Sequence, residues 1–292
     1  MQNQFVDKKL FSADLLRTCQ IALAEDAAEN DITSDLTIKN NPRIYFQIAA
    51  RENITLCGTQ IIGLCFDQLQ KKPKFKNNFL EIKINAKDGA SIKAGSLIAQ
   101  GFGDAKLIFA AERVILNLLQ HLSGIATLTN EFVKKLNNPK IKILDTRKTL
   151  PSLRTLQKYA VTVGGGKNHR LNLSDMILIK DNHIAAAGSV SMALELAKKS
   201  KKKIEIECDN FKQVAEALKY KPDVIMLDNM KPAEIKKCSE LIRKNSKKTK
   251  IEISGGVNLG NIKTFSKLAI DFISIGLLTH SARAVDIGLD II

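Results

Sequence analysis

The sequence predicts an α/β protein: an α+β domain carrying an antiparallel sheet, then a parallel β/α barrel, whole or part-open. Three observations predict it. Beyond Pro139, short apolar runs alternate with helical patterns, the period of a βαβ chain whose strands are buried on both faces. Before that point, short strands are punctuated by Gly89, Gly95, Gly101 and Gly103. No G-x-G-x-x-G follows the first apolar strand after Pro139, which argues against a doubly wound sheet.

In chain order, Ser12 can cap a helix carrying Leu15, Leu16, Cys19, Leu23 and Ala24, and the polar run 25–34 ends it. Residues 43–50 and 53–57 read as strands, 59–69 as a helix, 71–78 as a loop and 79–84 as a strand. Asp104 can cap the next helix, whose Leu107, Ile108, Ala111, Val114, Ile115, Leu118 and Leu119 form a wide apolar stripe with Arg113 at its edge. Ser123-Gly124 should break it, a second helix then running to Asn137-Asn138-Pro139. The expected barrel strands are 141–144, 176–179, 204–206, 224–227, 251–253 and 272–275, with helices at 190–199, 211–218, 232–242 and 261–268.

Composition excludes several classes. A membrane span needs about 18 apolar residues and no run approaches that; residues 1–16 lack an apolar h-region, so the protein is expected in the cytoplasm, away from membranes. Five cysteines without C-x-x-C spacing read as reduced, mostly buried thiols. A net charge of +15 suits nucleic acid, yet the lysine runs 198–203 and 244–250 fall just before strands, opposite the strands' carboxyl ends. With 5% aromatics and no Trp there is little for bases to stack on, so nucleic acid is not an expected partner.

The site is expected around residues 145–183, where Arg147, Lys148, Arg154, Lys158, Lys167, His169, Arg170, Lys180 and His183 face only Asp145, Asp175 and Asp181. Such a cluster wants an anion, Arg offering a bidentate fork and Lys a point charge. The glycines Gly164-Gly165-Gly166 can turn tightly or let backbone approach a ligand. Reading the residue that closes each strand gives Asp145, Lys180, Glu207, Asp228, Ser254 and Gly276, all polar or glycine, at the end of a barrel that carries chemistry. Ser254-Gly255-Gly256 and Ile275-Gly276-Leu277 sit where barrels bind phosphate, ahead of helices. Glu207 and Asp228 would accept from hydroxyls or hold Mg2+. Lys180, ending an apolar strand, also admits a Schiff-base aldolase, and borohydride trapping would reveal one.

These residues carry a resemblance. D-T-R-K-T-x-P at 145–151, K-Y-A-V-x-x-G-G-G-x-N-H-R at 158–170, L-I-K-D-N-H-I at 178–184, M-L-D-N at 226–229, S-G-G-V-N at 254–258 and A-E-R-V-I-L-N-L-L-Q-H-L-S-G-I-A-T at 111–127 resemble the quinolinate phosphoribosyltransferase family over most of the chain. The resemblance implies an enzyme making nicotinate mononucleotide, pyrophosphate and carbon dioxide from quinolinate and phosphoribosyl pyrophosphate with magnesium. It implies an N-terminal α/β sandwich domain, placed at 1–114, and an incomplete barrel at 115–292, the C-terminal tail able to pack back on the first domain. It also implies a homodimer whose sites borrow from both subunits. On it, Thr146, Arg147, Lys148, His169, Arg170 and Lys180 surround the quinolinate carboxylates and pyrophosphate, with Lys148, Lys180, Glu207 and Asp228 carrying catalysis. Glu207 and Asp228 lie near ribose and metal, and Ser254, Gly255, Gly256, Ile275, Gly276 and Leu277 form phosphate loops. Arg113, a rim residue on composition, becomes the arginine that reaches into the neighbour's site. Leu150 and Ser152 stand where the family more commonly has Thr and Gly. A related transferase of another pyridine or aromatic acid is the nearest alternative.

Overall fold

The computed structural model describes residues 8–292; residues 1–7, where the stretch without an apolar h-region begins, lie outside it. The chain divides into two units, one holding 8–130, 150–165 and 281–292, the other 131–149 and 166–280.

The first unit opens with α1 (Lys8–Glu25), so Ser12 lies inside this helix and is not its cap. The polar run after it hides a 3-10 turn at Ala28–Asn30 and α2 (Ile32–Thr37), which Asp31 caps by accepting from the Ser34 N–H at 3.1 Å. Next come β1 (Arg43–Ala50), β2 (Ile54–Thr55), α3 (Gln60–Gln70), β3 (Leu80–Ile84), β4 (Ser91–Ile92) and β5 (Leu97–Asp104). The strand expected at 53–57 is thus only two residues long. β3, β5 and β1 pair antiparallel in that order, and the far side of β1 pairs with residues Ile287–Ile291.

α4 (Ala105–Leu136) follows, and two expectations fail there. Asp104 does not cap it: its carboxylate accepts from the Phe79 N–H at 2.9 Å and pairs with Arg43 at 3.5 Å, while Asn41 Oδ1 takes the Lys106 N–H at 2.9 Å. Nor does Ser123-Gly124 break it. The buried Ser123 hydroxyl accepts from the Cys57 N–H at 3.0 Å, and Gly124 clears space for backbone, since a Cβ there would sit 2.0 Å from the Arg283 carbonyl oxygen. Small residues that look like a helix stop are here for close approach.

After β6 (Lys142–Leu144), α5 (Arg154–Val163) belongs to the first unit, its Tyr159 ring stacked on Phe11 at 4.0 Å. The second unit resumes with β7 (Ile177–Ile179), α6 (Asp181–Ala187), α7 (Val190–Ala197), β8 (Ile204–Cys208), α8 (Phe211–Leu218), β9 (Val224–Asp228), α9 (Pro232–Asn245), β10 (Lys250–Ser254), β11 (Phe272–Ser274) and α10 (Leu277–His280); β12 (Ile287–Ile291) closes the first unit's sheet. The helix expected at 261–268 is a single 3-10 turn, Ile262–Phe265. Six parallel strands in the order β6-β11-β10-β9-β8-β7 make the part-open barrel, whose end strands do not pair with each other.

The register sorts side chains by face. Leu178 pairs with Glu205, Glu207 with Met226, Met226 with Glu252, Glu252 with Phe272, and Ser274 with Leu144. Period two therefore puts these on one face and Ile206, Ile225, Leu227, Ile251, Ile253 and Ile273 on the other, where α7, α8 and α9 pack on β7, β8 and β10. The helix-facing residues are what read as apolar runs. The inner face mixes Glu205, Glu207, Glu252 and Ser274 with Leu144, Leu178, Met226 and Phe272, where barrels commonly hold layers of branched apolar residues alone.

Candidate active site

At the carboxyl ends of the barrel strands lies a cavity of about 700 Å3. The residues expected to bind substrate or carry catalysis line it, apart from Arg113, while Asp145, Arg154, Lys158, Lys167 and His183 of the expected cluster do not. Thr146, Arg147 and Lys148 follow β6, Lys180 ends β7, Glu207 and Asp228 end β8 and β9, and Ser254 to Gly256 and Ile275 to Leu277 follow β10 and β11. Arg113 is exposed on α4, in the first unit.

One wall is cationic. Arg147, His169, Arg170 and Lys180 all line it, and the Nε–H groups of Arg147 and Arg170 are buried with no hydrogen-bond partner among the described residues. Burial, and then the charge of Arg147, hold the Arg170 guanidinium below its ordinary range. Two desolvated, mutually repelling guanidiniums are arranged for an anion.

Asp145 does not face the cavity, although it closes a strand. It is fully buried and accepts from the His169 N–H at 2.8 Å and from the Asn168 amide at 2.6 Å, so it fixes the turn that presents His169 and Arg170. Four of the cluster's cations also fall elsewhere. Arg154 and Lys158 lie on α5 in the first unit, and Lys167 lines a cavity at the strands' amino ends. His183 caps α6, accepting the Lys180 N–H on Nδ1 at 3.0 Å. The glycine triplet serves packing and a turn: a Cβ on Gly164 would meet the Ala126 carbonyl at 2.4 Å, and Gly165 has φ +94°.

The opposite wall is acidic. Lys180 Nζ donates to Glu207 Oε2 at 2.5 Å, and burial raises the Glu207 carboxyl against that pull. An ammonium so paired is the reverse of what a Schiff-base nucleophile needs. Glu207, Asp209 and Asp228 each offer an oxygen, all within 4.8 Å of one another. Three hard oxygen donors fit Mg2+. Asp209, exposed one residue past β8 and not among the residues lining the cavity, is a residue that the sequence reading misses; its spacing of two from Glu207 is the signal that could find it.

Beside the acids lies a backbone cradle. Gly255 and Gly256 have φ of +88° and +64°, a run of left-handed glycines that turns N–H groups toward an anion. Asn229, at φ +52°, donates its amide to Asp228, and a Cβ on Gly255 would sit 2.1 Å from Asn229 Oδ1, so only glycine fits. Gly276 is less tightly enclosed, a Cβ there lying 3.1 Å from the His280 ring and 3.2 Å from the Lys148 Cδ, while the Thr279 hydroxyl donates to the Lys148 carbonyl at 2.7 Å. The two glycine turns thus pack against the acid's neighbour Asn229 and against Lys148.

Comparison with known proteins agrees with this geometry. Residues 31–123 match the N-terminal domain of quinolinate phosphoribosyl transferase and residues 125–290 its C-terminal domain. The chain is 43% identical to a probable nicotinate-nucleotide pyrophosphorylase (carboxylating) of Methanocaldococcus jannaschii, over 95% of this chain and 97% of that one, and 40% identical to a Bacillus subtilis protein of the same name, over 91% and 90%. The Francisella tularensis nicotinate-nucleotide pyrophosphorylase superposes over the whole of both chains with a TM-score of 0.90 at 36% identity. The Ehrlichia chaffeensis protein of that name does so with 0.87 at 41%, over 94% of this chain and 97% of that one. With both domains matched in order and the cations, acids and glycine turns on one barrel mouth, the chain belongs to the quinolinate phosphoribosyltransferase family.

Proposed function

We infer that the chain is a pentosyltransferase of NAD biosynthesis, converting quinolinate and phosphoribosyl pyrophosphate to nicotinate mononucleotide, pyrophosphate and carbon dioxide. The observation that carries this reading is the pair of buried, unpartnered guanidinium Nε–H groups on Arg147 and Arg170, beside His169 and Lys180. Quinolinate brings two adjacent carboxylates on a planar ring, and two forks and a lysine match that dianion. Lys148 and the turns at Ser254 to Gly256 and Ile275 to Leu277 suit the phosphates.

The ring nitrogen attacks the anomeric carbon as the bond to pyrophosphate breaks, through an oxocarbenium-like state. No nucleophilic side chain is required. The site binds both partners in line, and preorganised cations take up charge as it develops on the leaving group. Glu207, Asp209 and Asp228 would hold Mg2+, which when bound neutralises pyrophosphate charge, and the acids also accept from ribosyl hydroxyls. The carbon–carboxylate bond beside the cationic ring nitrogen then breaks, its electron pair staying on that ring carbon, where the adjacent positive charge stabilises it, until a proton from water takes the place of the departed carbon dioxide.

We place the enzyme in the cytoplasm, where its buried free thiols remain reduced; no described helix is long and apolar enough to cross a membrane. The chain works as a homodimer in this reading, Arg113 of one subunit completing the other's quinolinate site. Mixing folded Arg113→Ala and Lys180→Ala subunits tests this, since one site of each hybrid would be intact and activity should recover toward about half. Hybrids with no activity refute the shared site. The function itself is tested by nicotinate mononucleotide formation with quinolinate against nicotinate: turnover of quinolinate alone is expected, and preference for nicotinate would overturn it.

A further inference from the structure

We propose that Glu205 is a positioning residue for quinolinate, holding the His169 ring from beneath the cavity wall. The inference rests on the quinolinate reading and deepens it. His169 Nε2 lies 2.9 Å from Glu205 Oε2 and 3.9 Å from Glu252 Oε1, and Glu252 accepts from the Ser274 hydroxyl at 2.5 Å. Glu205 and Glu252 are each 1% exposed, and His169 is 8% exposed. Of the three, only His169 lines the substrate cavity.

The fold does not ask for these acids. Their ladder neighbours Leu178, Val224, Met226 and Phe272 are apolar, and a leucine at either position would extend that layer. Two carboxylates beside one imidazole, each almost fully buried though bordering the cavity at the strands' amino ends, cost stability rather than add it. Glu205 Oε1 increases the cost, being buried without a hydrogen-bond partner. A costly arrangement behind a residue of the site is what a functional constraint looks like. Commitment of Nε2 to Glu205 fixes the ring's orientation, and the Asp145 bond to the His169 N–H fixes the backbone beneath it. The wall then meets an anion with a preset imidazole, and no ordering is left for the binding step.

The test compares Glu205→Gln, whose amide oxygen still accepts from the ring, with Glu205→Leu, which cannot. Glu205→Leu should keep or raise the urea midpoint yet raise the quinolinate KM by about tenfold or more, while the phosphoribosyl pyrophosphate KM stays within about twofold. Glu205→Gln should stay within about threefold of wild type for both substrates. In protein without substrate, the His169 Nε2–H proton should resonate far downfield in wild type and Glu205→Gln, and vanish in Glu205→Leu. A folded Glu205→Leu with wild-type quinolinate KM overturns the proposal, and so does a Glu205→Leu that cannot fold, since the acid would then serve the fold. A wild type that shows the resonance but binds no quinolinate refutes the substrate reading alone; one lacking the resonance refutes the His169–Glu205 coupling alone.

Discussion

Ser152 has φ +63°, a left-handed conformation that a side chain resists and glycine adopts freely. Ser152→Gly should raise stability by roughly 0.5–1 kcal/mol, because about 1–2 kcal/mol of strain is relieved against the ~0.5–1 kcal/mol cost of glycine's freedom in the unfolded chain. A urea titration decides it, and a lower midpoint would mean the surroundings had already absorbed the strain. The family resemblance implies glycine there, and the backbone gives the reason. Arg147→Ala follows the opposite logic to an ordinary core deletion. It removes a charge that opposes the buried Arg170 guanidinium, so stability should hold or rise while quinolinate affinity falls by about tenfold or more, the loss of one charge-assisted contact. Equal loss of stability and binding would make Arg147 a structural residue.

At the scale of elements, α4 sets helix propensity against close approach. Alanine gains about 1 kcal/mol over glycine inside a helix, yet a Cβ at position 124 would stand 2.0 Å from the Arg283 carbonyl oxygen, and forced overpacking costs typically 1–3 kcal/mol. Gly124→Ala should therefore lower the melting temperature, and a rise would show that the 281–292 segment yields easily. The same glycine explains what the sequence concealed. Gly124 and Asp104 read as helix punctuation because their partners, Arg283 and Phe79, are distant in sequence and invisible to local patterns. The barrel was more legible: strands reveal themselves by their helix-facing isoleucines, and the polar residues closing them led to Lys180, Glu207 and Asp228. Asp145 obeyed the same rule and turned the other way, toward Asn168 and His169. Glu205 and Glu252 were hidden, since an acid in the middle of a short strand carries no signal of its own until pairing shows two of them meeting one histidine.

For the whole molecule, the buried acids leave a signature in stability against pH. Burial, and then the charge of Glu205, push the Glu252 carboxyl from 4.5 to about 8. Folded protein then holds a proton that unfolded protein has released, so this group's contribution to stability falls as pH rises from about 4.5 to about 8. Glu252→Gln should flatten that decline in urea midpoints measured across the window; an unchanged slope would assign it to other groups. The alternating faces of β8 have a consequence for quality control. If that strand slipped by one residue against β9, Glu205 and Glu207 would turn out among the helices, and Ile206 and Cys208 would turn in. The mistake would bury two carboxylates in hydrocarbon and take Glu207 from the acidic cluster at one stroke. A chain paired out of step is thus both unstable and inert, so selection for turnover also proofreads the assembly of the barrel.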